Sequence, residues 1–298
     1  MQLETIVLGT DFSDTATRTA RWVATRMAPN ASLILVHALE PNTPPAFLVG
    51  AGLVTEGRDS GTRGQCEDQL RELALSLGRD GARTEVRVGR AHDVMSEVAT
   101  QSHAQLIAVG PHGNRAHRSL LLGTTADSLV RSAKVPVLIG PRARISGKTR
   151  VLAALTDSSA REQVIAWAAF VATKLSGRVT VLHALELAAY SHAASLAAAH
   201  AHGDESLERG EIDVMMRQLA RHWLEESVAS GIDRSIIDLA VEVGDAAEVI
   251  LSYAAKQGPA LIVLGRHEVA RGLPVRLGRT VRHVLHASRC GVLIVPIS

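Results

Sequence analysis

Three glycines that follow an apolar run carry the clearest chemistry in this sequence. Gly110 and Gly113 come directly after residues 106–109 (Leu-Ile-Ala-Val), and Gly123 follows nine intervening residues later, at the start of a helix-like stretch. Glycine lets a backbone adopt a positive φ and approach a ligand closely. The amide groups of a helix N-terminus attract phosphate, and the helix dipole adds to this attraction. The spacing therefore predicts a phosphate-binding loop and indicates a nucleotide-binding protein.

The elements that must hold these glycines occur twice along the chain. Residues 35–40 (Leu-Val-His-Ala-Leu-Glu) correspond to residues 181–186 (Val-Leu-His-Ala-Leu-Glu). Residues 106–110 (Leu-Ile-Ala-Val-Gly) correspond to residues 261–265 (Leu-Ile-Val-Leu-Gly). A chain of 298 residues has room for two domains. The repeat predicts two copies of one unit.

The positions of Pro and Gly indicate the domain boundary, and the periodicity of apolar residues indicates the fold class. A polar stretch with Pro and Gly predicts a linker at residues 142–149, between domains at residues 1–141 and 150–298. Each half alternates short β-branched apolar runs with helical patterns, which predicts an α/β fold with a five-stranded parallel sheet and helices on both faces. Ligands of such sheets bind beyond the carboxyl ends of the strands. Asp11 and Gly110 both follow predicted strands, so we expect them to share one crevice.

Composition also limits the partners and the compartment. The net charge of +2, from 32 basic and 30 acidic residues, gives no electrostatic case for nucleic-acid binding. The two cysteines form no CxxC pair, which fits a reducing compartment. His192, His200 and His202 lack the spacing of a helical zinc site, so no metal site is expected. The sequence shows neither a signal-peptide pattern nor an apolar run of the about 20 residues that span a membrane, so the cytoplasm is expected.

Several motifs together resemble one known family. Residues 10–16 (Thr-Asp-Phe-Ser-Asp-Thr-Ala), residues 35–38 (Leu-Val-His-Ala) and the pattern G-x2-G-x9-G-[ST] that begins at Gly110 are similar to those of the ATP-binding branch of the universal stress proteins. The likeness continues through residues 120–130 and 135–138, and a second copy extends it over nearly the whole chain. The resemblance implies two flavodoxin-like, Rossmann-like halves. It also implies that they pack as a pseudo-dimer, with their last strands meeting edge to edge.

The resemblance further implies a site for ATP, with Mg²⁺ on the phosphates because a triphosphate needs a counter-ion. Asp11 would hold the adenosine part, and Ala38, just past the second strand, would offer backbone groups to the adenine edge. The loop from Gly110 to Gly113 would close over the ribose and phosphates, and the start of the following helix would present amides and a hydroxyl. The residues of this predicted site are Thr10, Asp11, Ala38, Gly110, His112, Gly113, Gly123, Thr124 and Thr125.

Other interpretations of these residues stay open from the sequence. Asp11 also fits a helix cap, and Gly110 and Gly113 also fit ordinary turns. We expect His112 to face solvent rather than take part in catalysis, and His37 to make a structural hydrogen bond. No residue is assigned a catalytic role.

The second copy departs from the glycine pattern. Glu268 stands where the first copy has Gly113, and Arg279 directly follows Gly278. A glutamate at this place repels phosphate, so we predict a degenerate, structural second domain. The alternative is a site with a changed ligand preference, because Asp157 matches Asp11 and arginine suits anions. The arginines concerned are Arg266, Arg271, Arg276 and Arg279.

The leading interpretation is a nucleotide-dependent switch in the stress response, in which ATP orders a loop at residues 41–64. One alternative is a slow ATPase that uses Asp11 or His112. Another is a nucleotide-independent scaffold whose partners dock on residues 187–231. A protein partner is expected without being identified, and a homodimer of the whole chain is left open.

Overall fold

A computed structural model describes most of the chain, in two compact units, Met1–Gly140 and Pro141–Ser298. The edge-to-edge pairing of the two halves stays a prediction. The described residues are 2–40, 60–113, 122–142, 149–155, 161–186, 209–228, 231–267 and 277–297.

The N-terminal unit alternates strands and helices, as the periodicity predicts. A single π-helical turn, Val23–Met27, continues its first helix. The elements are β1 Thr5–Gly9, α1 Asp14–Trp22, β2 Ser32–Leu39, α2 Ser60–Ser76, β3 Arg83–Val88, α3 Ala91–Gln101, β4 Leu106–Val109, α4 Thr124–Ser132 and β5 Val137–Ile139.

All the strand pairs of this unit are parallel, and the sheet runs in the order β3-β2-β1-β4-β5. Every residue of β4 and β5 is buried, because strands covered on both faces need continuous apolar runs. The strand order reverses between β1 and β4, which pair directly. The carboxyl ends of such a pair form the crevice in which open α/β sheets bind ligands.

The C-terminal unit repeats this plan, with the strand order β10-β9-β6-β7-β8. A short 3₁₀ turn, Arg234–Ile236, precedes β8. The elements are β6 Val151–Leu155, α5 Arg161–Lys174, β7 Val179–Leu185, α6 Arg209–Glu226, β8 Ile237–Val243, α7 Ala246–Gln257, β9 Leu261–His267, α8 Arg279–Ala287 and β10 Gly291–Ile297. The predicted fold class, two flavodoxin-like α/β domains with parallel sheets, is thus confirmed.

The repeat extends to contacts that the sequence comparison does not contain. In the N-terminal unit the Arg63 guanidinium donates to the Val86 carbonyl of the edge strand at 3.1 Å. In the C-terminal unit Arg217 donates to the Val241 carbonyl at 2.9 Å. Val86 and Val241 are equivalent positions of the two repeats, so the same helix-to-edge contact recurs in both.

Both cores consist mainly of Ala, Val, Leu and Ile, since aromatic residues make up only 3% of the chain. The largest fully buried side chains include Ile6, Leu35 and Leu129 in the first unit, and Ile165 and Leu182 in the second. Within the described ranges, no helix is both long enough and apolar enough to cross a membrane.

Candidate functional site

The predicted site residues of the N-terminal half gather at the carboxyl ends of β1 and β4. β1 ends at Gly9, two residues before Asp11, and β4 ends at Val109, directly before Gly110. These two strands are neighbours at the point where the strand order reverses. The fold therefore brings Asp11 and the glycine loop together at the position that favours ligand binding in this class of sheet.

Asp11 and Gly113 are in direct proximity across the crevice. A Cβ atom built on Gly113 would lie only 2.7 Å from Oδ2 of Asp11. The other carboxylate oxygen, Oδ1, accepts a hydrogen bond from the Ser13 N–H at 3.1 Å. Only glycine at position 113 leaves the carboxylate in this place, so the identity of residue 113 and the position of Asp11 depend on each other.

Ser13, not Asp11, caps the first helix. The Ser13 hydroxyl accepts a hydrogen bond from the Ala16 N–H at 3.2 Å, and Ser13 has the extended backbone of an N-cap residue. The alternative that Asp11 is the helix cap is therefore wrong. Asp11 instead belongs to the turn between β1 and α1, where the residue is partly exposed.

Replacement of Ser13 by alanine should lower the free energy of unfolding of the N-terminal unit by about 1 kcal/mol, because the α1 N-terminus loses its side-chain cap. Chemical denaturation followed by circular dichroism measures this change. Ser132→Ala, at an exposed position near the end of α4, is the matched control and should stay within about 0.5 kcal/mol of the wild type. Equal effects of the two substitutions would contradict the assignment of the cap.

Gly110 brings the end of β4 against the first turn of α1. A Cβ atom on Gly110 would lie 2.9 Å from the Ala16 nitrogen and 3.1 Å from Oγ1 of Thr15. The Thr15 hydroxyl in turn donates a hydrogen bond to the His112 carbonyl at 2.8 Å. The loop after β4 is thus fastened to the helix that follows Asp11.

The expectation that these glycines adopt a positive φ is wrong. Gly110, Gly113 and Gly123 all lie outside the left-handed range of φ. Gly110 and Gly113 are glycine because neighbouring atoms occupy the space of a side chain. The close approach that the sequence predicts is therefore present, while the backbone freedom that it also predicts is not used.

The N-terminus of α4 closes the other side of the loop. Gly123 is the N-cap residue, with an extended backbone, and its N–H donates to the Pro111 carbonyl at 2.9 Å. The first backbone hydrogen bond of the helix runs from the Asp127 N–H to the Gly123 carbonyl at 2.9 Å. The amides of Thr124 and Thr125 precede this bond and point out of the helix end, where the dipole is positive. Two sequence-predicted residues thus present backbone amides at a positively polarised helix end.

A carboxylate in the first turn of α4 is neutralised by its own helix. Asp127 accepts hydrogen bonds from the Arg131 guanidinium at 2.8 Å and 3.1 Å. This hydrogen bond raises the pKa of Arg131 above its ordinary value. Because Arg131 pairs with Asp127, the acidic side chain opposes an anion at the helix N-terminus less than an isolated carboxylate would.

Ala38 lies one element earlier than the sequence predicts. It belongs to β2 and pairs with Arg87 of β3, rather than standing just past the strand. The Val36 carbonyl accepts the Thr10 N–H at 2.9 Å, so Val36 faces β1. Alternate residues of a parallel strand direct their backbone groups to the same neighbour. Ala38 therefore directs its amide and carbonyl beyond the end of β1, towards the crevice.

Thr10 and His112 make hydrogen bonds that hold the backbone around the site. Thr10 is buried, and its hydroxyl oxygen accepts the Phe12 N–H at 2.9 Å. The ring nitrogen Nδ1 of His37 lies 2.8 Å from the Thr10 carbonyl, which agrees with the structural hydrogen bond predicted for this histidine. His112 is half-buried rather than facing solvent, and its carbonyl accepts the bond from Thr15.

Sequence reasoning assigned no role in the site to two residues that hold it, Phe12 and Thr15, whereas Ser13 was already a candidate cap of the first helix together with Asp14. Ser13 and Thr15 are ordinary helix-start residues, and their roles depend on contacts with the distant loop after β4. Phe12 has a φ of +63°, unusual for a bulky residue. Because bulky residues avoid this region of φ, nothing in the local sequence indicates this conformation.

The corresponding crevice of the C-terminal unit is built differently. Strand β9 continues through Gly265, Arg266 and His267, which pair with the last residues of β10. The first unit leaves its sheet at Gly110, the position equivalent to Gly265. The second unit therefore keeps as strand residues 265–267, which correspond to residues 110–112 of the glycine loop in the first.

The arginines of the second crevice are engaged or buried where the structure describes them. Arg266 is buried at 6% exposure. Arg279 forms a salt bridge with Asp245, the N-cap residue of α7, and hydrogen bonds from the α7 backbone hold the pKa of that aspartate below its ordinary value. The predicted features at Asp157, Glu268, Arg271 and Arg276 lie outside the described residues.

Two further predicted features lie mostly outside the described residues. These are the loop at residues 41–64, described only from residue 60, and the docking segment 187–231, described for residues 209–228 and 231. The histidines His192, His200 and His202 belong to the part that is not described. Among the residues that the structure describes, no group of three or more His, Cys, Asp or Glu residues is placed to hold a metal ion.

Comparison with known proteins matches one family model to both halves. The model of the universal stress protein family matches residues 2–141 and 148–296. A universal stress protein A homologue from Coxiella burnetii is 32% identical over 111 residues, covering 37% of this chain and 73% of the relative. A universal stress protein from Mycobacterium tuberculosis is 28% identical over 137 residues, 45% of this chain and 47% of that protein. A universal stress protein E homologue from Haemophilus influenzae matches over only 25% of its own length.

Solved structures show the same fold over the full length. A universal stress protein from Archaeoglobus fulgidus superposes with a TM-score of 0.67 at 17% identity and covers 99% of both chains. A protein of unknown function from Pseudomonas aeruginosa gives a TM-score of 0.65 at 17% identity, covering 99% of this chain and 92% of that one. At these identities the likeness concerns the fold alone.

Proposed function

This chain belongs to the universal stress protein family, with one copy of the domain in each half, and we propose that its N-terminal unit binds ATP and acts as a nucleotide-dependent switch in the stress response. The observation that carries the proposal is the meeting of three features at one crevice. These are the Asp11 carboxylate, the close-packed glycine loop and the start of α4.

The chemistry of these features suits the two ends of a nucleotide. The carboxylate of Asp11 accepts hydrogen bonds and suits the hydroxyl groups of a ribose. The backbone of Ala38, beyond the end of β1, suits the edge of an adenine ring. The amides at the start of α4 suit the phosphates, which are kept apart from the Asp11 charge by the glycine loop. The nucleotide would thus lie across the ends of β2, β1 and β4.

Mg²⁺ would accompany the phosphates rather than occupy a protein site. Magnesium typically keeps several waters and binds substrate phosphates together with one or two carboxylates. The described part of the chain places no cluster of three metal-ligating side chains. When bound, the ion supplies positive charge that offsets the phosphates, and the residues of this chain hold the nucleotide.

The C-terminal unit is proposed as a structural domain without a nucleotide. Its β9 strand continues where the N-terminal unit forms the glycine loop. A backbone that stays paired in a sheet cannot fold over phosphates. The two units therefore differ in function although they share a fold.

We expect about one equivalent of adenine nucleotide per chain. The purified protein is denatured after incubation with ATP and removal of excess, and the released small molecules are counted by mass spectrometry. Two equivalents would show that the second crevice binds as well. None, with ATP also failing to bind in calorimetry, would contradict the proposed function.

We further propose the cytoplasm as the location. Cys66 and Cys290 do not form a disulfide, which fits a reducing compartment.

A further inference from the structure

The turn between β1 and α1 holds an unusual backbone conformation next to the proposed nucleotide. Phe12 has a φ of +63°, in the left-handed region that bulky side chains rarely adopt. Asparagine, aspartate or glycine would occupy this region at lower cost. Such conformations persist only when the surroundings hold them, and they gather at functional sites. A specific set of contacts must therefore hold Phe12.

Those contacts come from His37 and Thr10. The ring of Phe12 stacks on the ring of His37, with centroids 4.6 Å apart and an angle of 29° between the planes. Nδ1 of His37 lies 2.8 Å from the Thr10 carbonyl, and because a carbonyl only accepts, this nitrogen carries the proton and donates. The Phe12 N–H donates to the Thr10 hydroxyl oxygen at 2.9 Å. The ring stack and the His37 hydrogen bond tie the turn to β2, and the bond from Phe12 to Thr10 closes the turn on itself.

The strained residue stands between the two anchors of the site. Asp11 precedes it, and Ser13, which caps α1 and donates to Oδ1 of Asp11 at 3.1 Å, follows it. Rotation of Phe12 to an ordinary negative φ would change the direction of the chain between Asp11 and Ser13. The Asp11 carboxylate would then leave its place beside Gly113.

We propose that Phe12 and His37 form a lock that holds the β1–α1 turn in its left-handed conformation and thereby positions the Asp11 carboxylate for the nucleotide. Phe12 and His37 are positioning residues in this proposal, acting through Asp11. The inference rests on the proposed function for the identity of the ligand, but the lock itself is a property of the nucleotide-free chain.

The second repeat has the equivalent histidine in different surroundings. His183 has its ring nitrogen Nδ1 3.3 Å from the Leu155 carbonyl, and its ring contacts Trp223 of α6, with centroids 4.9 Å apart. The guanidinium of Arg161 lies over the same indole at 4.8 Å. His183 is thus held by a helix that lies far along the chain from its β6–α5 turn. It provides a matched control for His37.

The first experiment measures ATP affinity by calorimetry and thermal stability in the same variants. Phe12→Ala and His37→Ala should each weaken ATP binding about 10-fold. The double variant should bind ATP about as well as either single variant, because each substitution alone already removes the same ring stack. Phe12→Tyr should restore wild-type affinity because it keeps the ring. His183→Ala should leave affinity unchanged.

Phe12→Gly separates positioning from a merely structural role. Glycine accepts a positive φ, so this variant should melt at a higher temperature than Phe12→Ala. It still lacks the ring, so its ATP affinity should fall as in Phe12→Ala. A residue that serves stability alone would lose affinity only in proportion to stability, and this outcome would overturn the proposal.

The second experiment needs no nucleotide. Amide hydrogen exchange of residues 11–15 in the ligand-free protein should accelerate about 10-fold in His37→Ala and stay unchanged in His183→Ala. Unchanged exchange together with unchanged affinity would overturn the lock. A wild-type chain that binds no adenine nucleotide would refute the proposed function, and the exchange result would still decide whether the lock holds the turn.

Discussion

Replacing Gly113 with glutamate is expected to weaken ATP binding at least about 100-fold while leaving the N-terminal unit folded. A Cβ atom at this position meets Oδ2 of Asp11 at 2.7 Å, so the carboxylate must move away. The new charge then faces the phosphates, and two like charges about 4 Å apart repel by about 4 kcal/mol at an effective dielectric constant near 20. Gly113 itself is exposed, so the substitution should leave the N-terminal unit folded. The substitution copies the glutamate that the second repeat carries at residue 268.

Gly81→Glu is the matched control for this experiment. Gly81 is an exposed glycine of the same unit, and a Cβ atom there meets nothing within 4 Å. It adds the same charge to the same unit, away from the crevice. Calorimetric titration with ATP should give wild-type affinity for Gly81→Glu and little or no heat for Gly113→Glu. Unchanged affinity in Gly113→Glu would show that the phosphates do not lie at this loop.

The architecture follows from the sequence because its determinants are local. The buried runs of β1 and β4 are continuous in apolar residues, and such runs favour parallel strands covered on both faces. Alternation with helical patterns then leaves few possible topologies, since crossover connections are right-handed. The convergence of Asp11 with Gly110 follows from the same rule, because both stand at carboxyl ends of neighbouring strands.

The details of the site do not follow from the sequence, because they depend on distant contacts. The sequence predicts a flexible backbone at Gly110, but Ala16 in the first turn of α1 packs closely against this residue. The sequence places Ala38 just past its strand, but pairing with β3 continues the strand through Ala38 and Leu39. The left-handed conformation of Phe12 depends on a histidine 25 residues away in sequence, and no local propensity predicts it.

The second repeat shows how a small change of pairing alters a site. Gly265 is retained at the end of the apolar run, so the sequence keeps the first element of the motif. The strand nevertheless continues, because Gly265 and the two residues after it find partners on β10. In the first unit β5 ends at Ile139, so the chain after β4 has no such partners along β5. The retained glycine therefore does not by itself produce the loop, and the two units differ in how far the pairing beside it continues.

The two repeats also supply a matched pair of substitutions, Gly110→Ala and Gly265→Ala. At Gly110 the new methyl group meets the Ala16 nitrogen, a backbone atom of α1, at 2.9 Å. At Gly265 it meets the tip of a side chain, Cδ1 of Ile297, also at 2.9 Å. A helix backbone cannot move without moving its whole element, whereas a terminal methyl group can change rotamer. The two substitutions should therefore lower the free energy of unfolding by different amounts, although the two contact distances are equal.

We expect Gly110→Ala to lower the free energy of unfolding by about 2–3 kcal/mol and Gly265→Ala by no more than about 1 kcal/mol. Gly110→Ala should also weaken ATP binding, because it pushes β4 from the helix whose Thr15 holds the loop at the His112 carbonyl. Gly265→Ala should bind ATP as the wild type does. Calorimetric unfolding with and without ATP measures both quantities on one sample. The two glycines are equivalent in the repeat. Equal losses in the free energy of unfolding would therefore contradict the claim that the contact with α1 makes Gly110→Ala the more destabilising substitution.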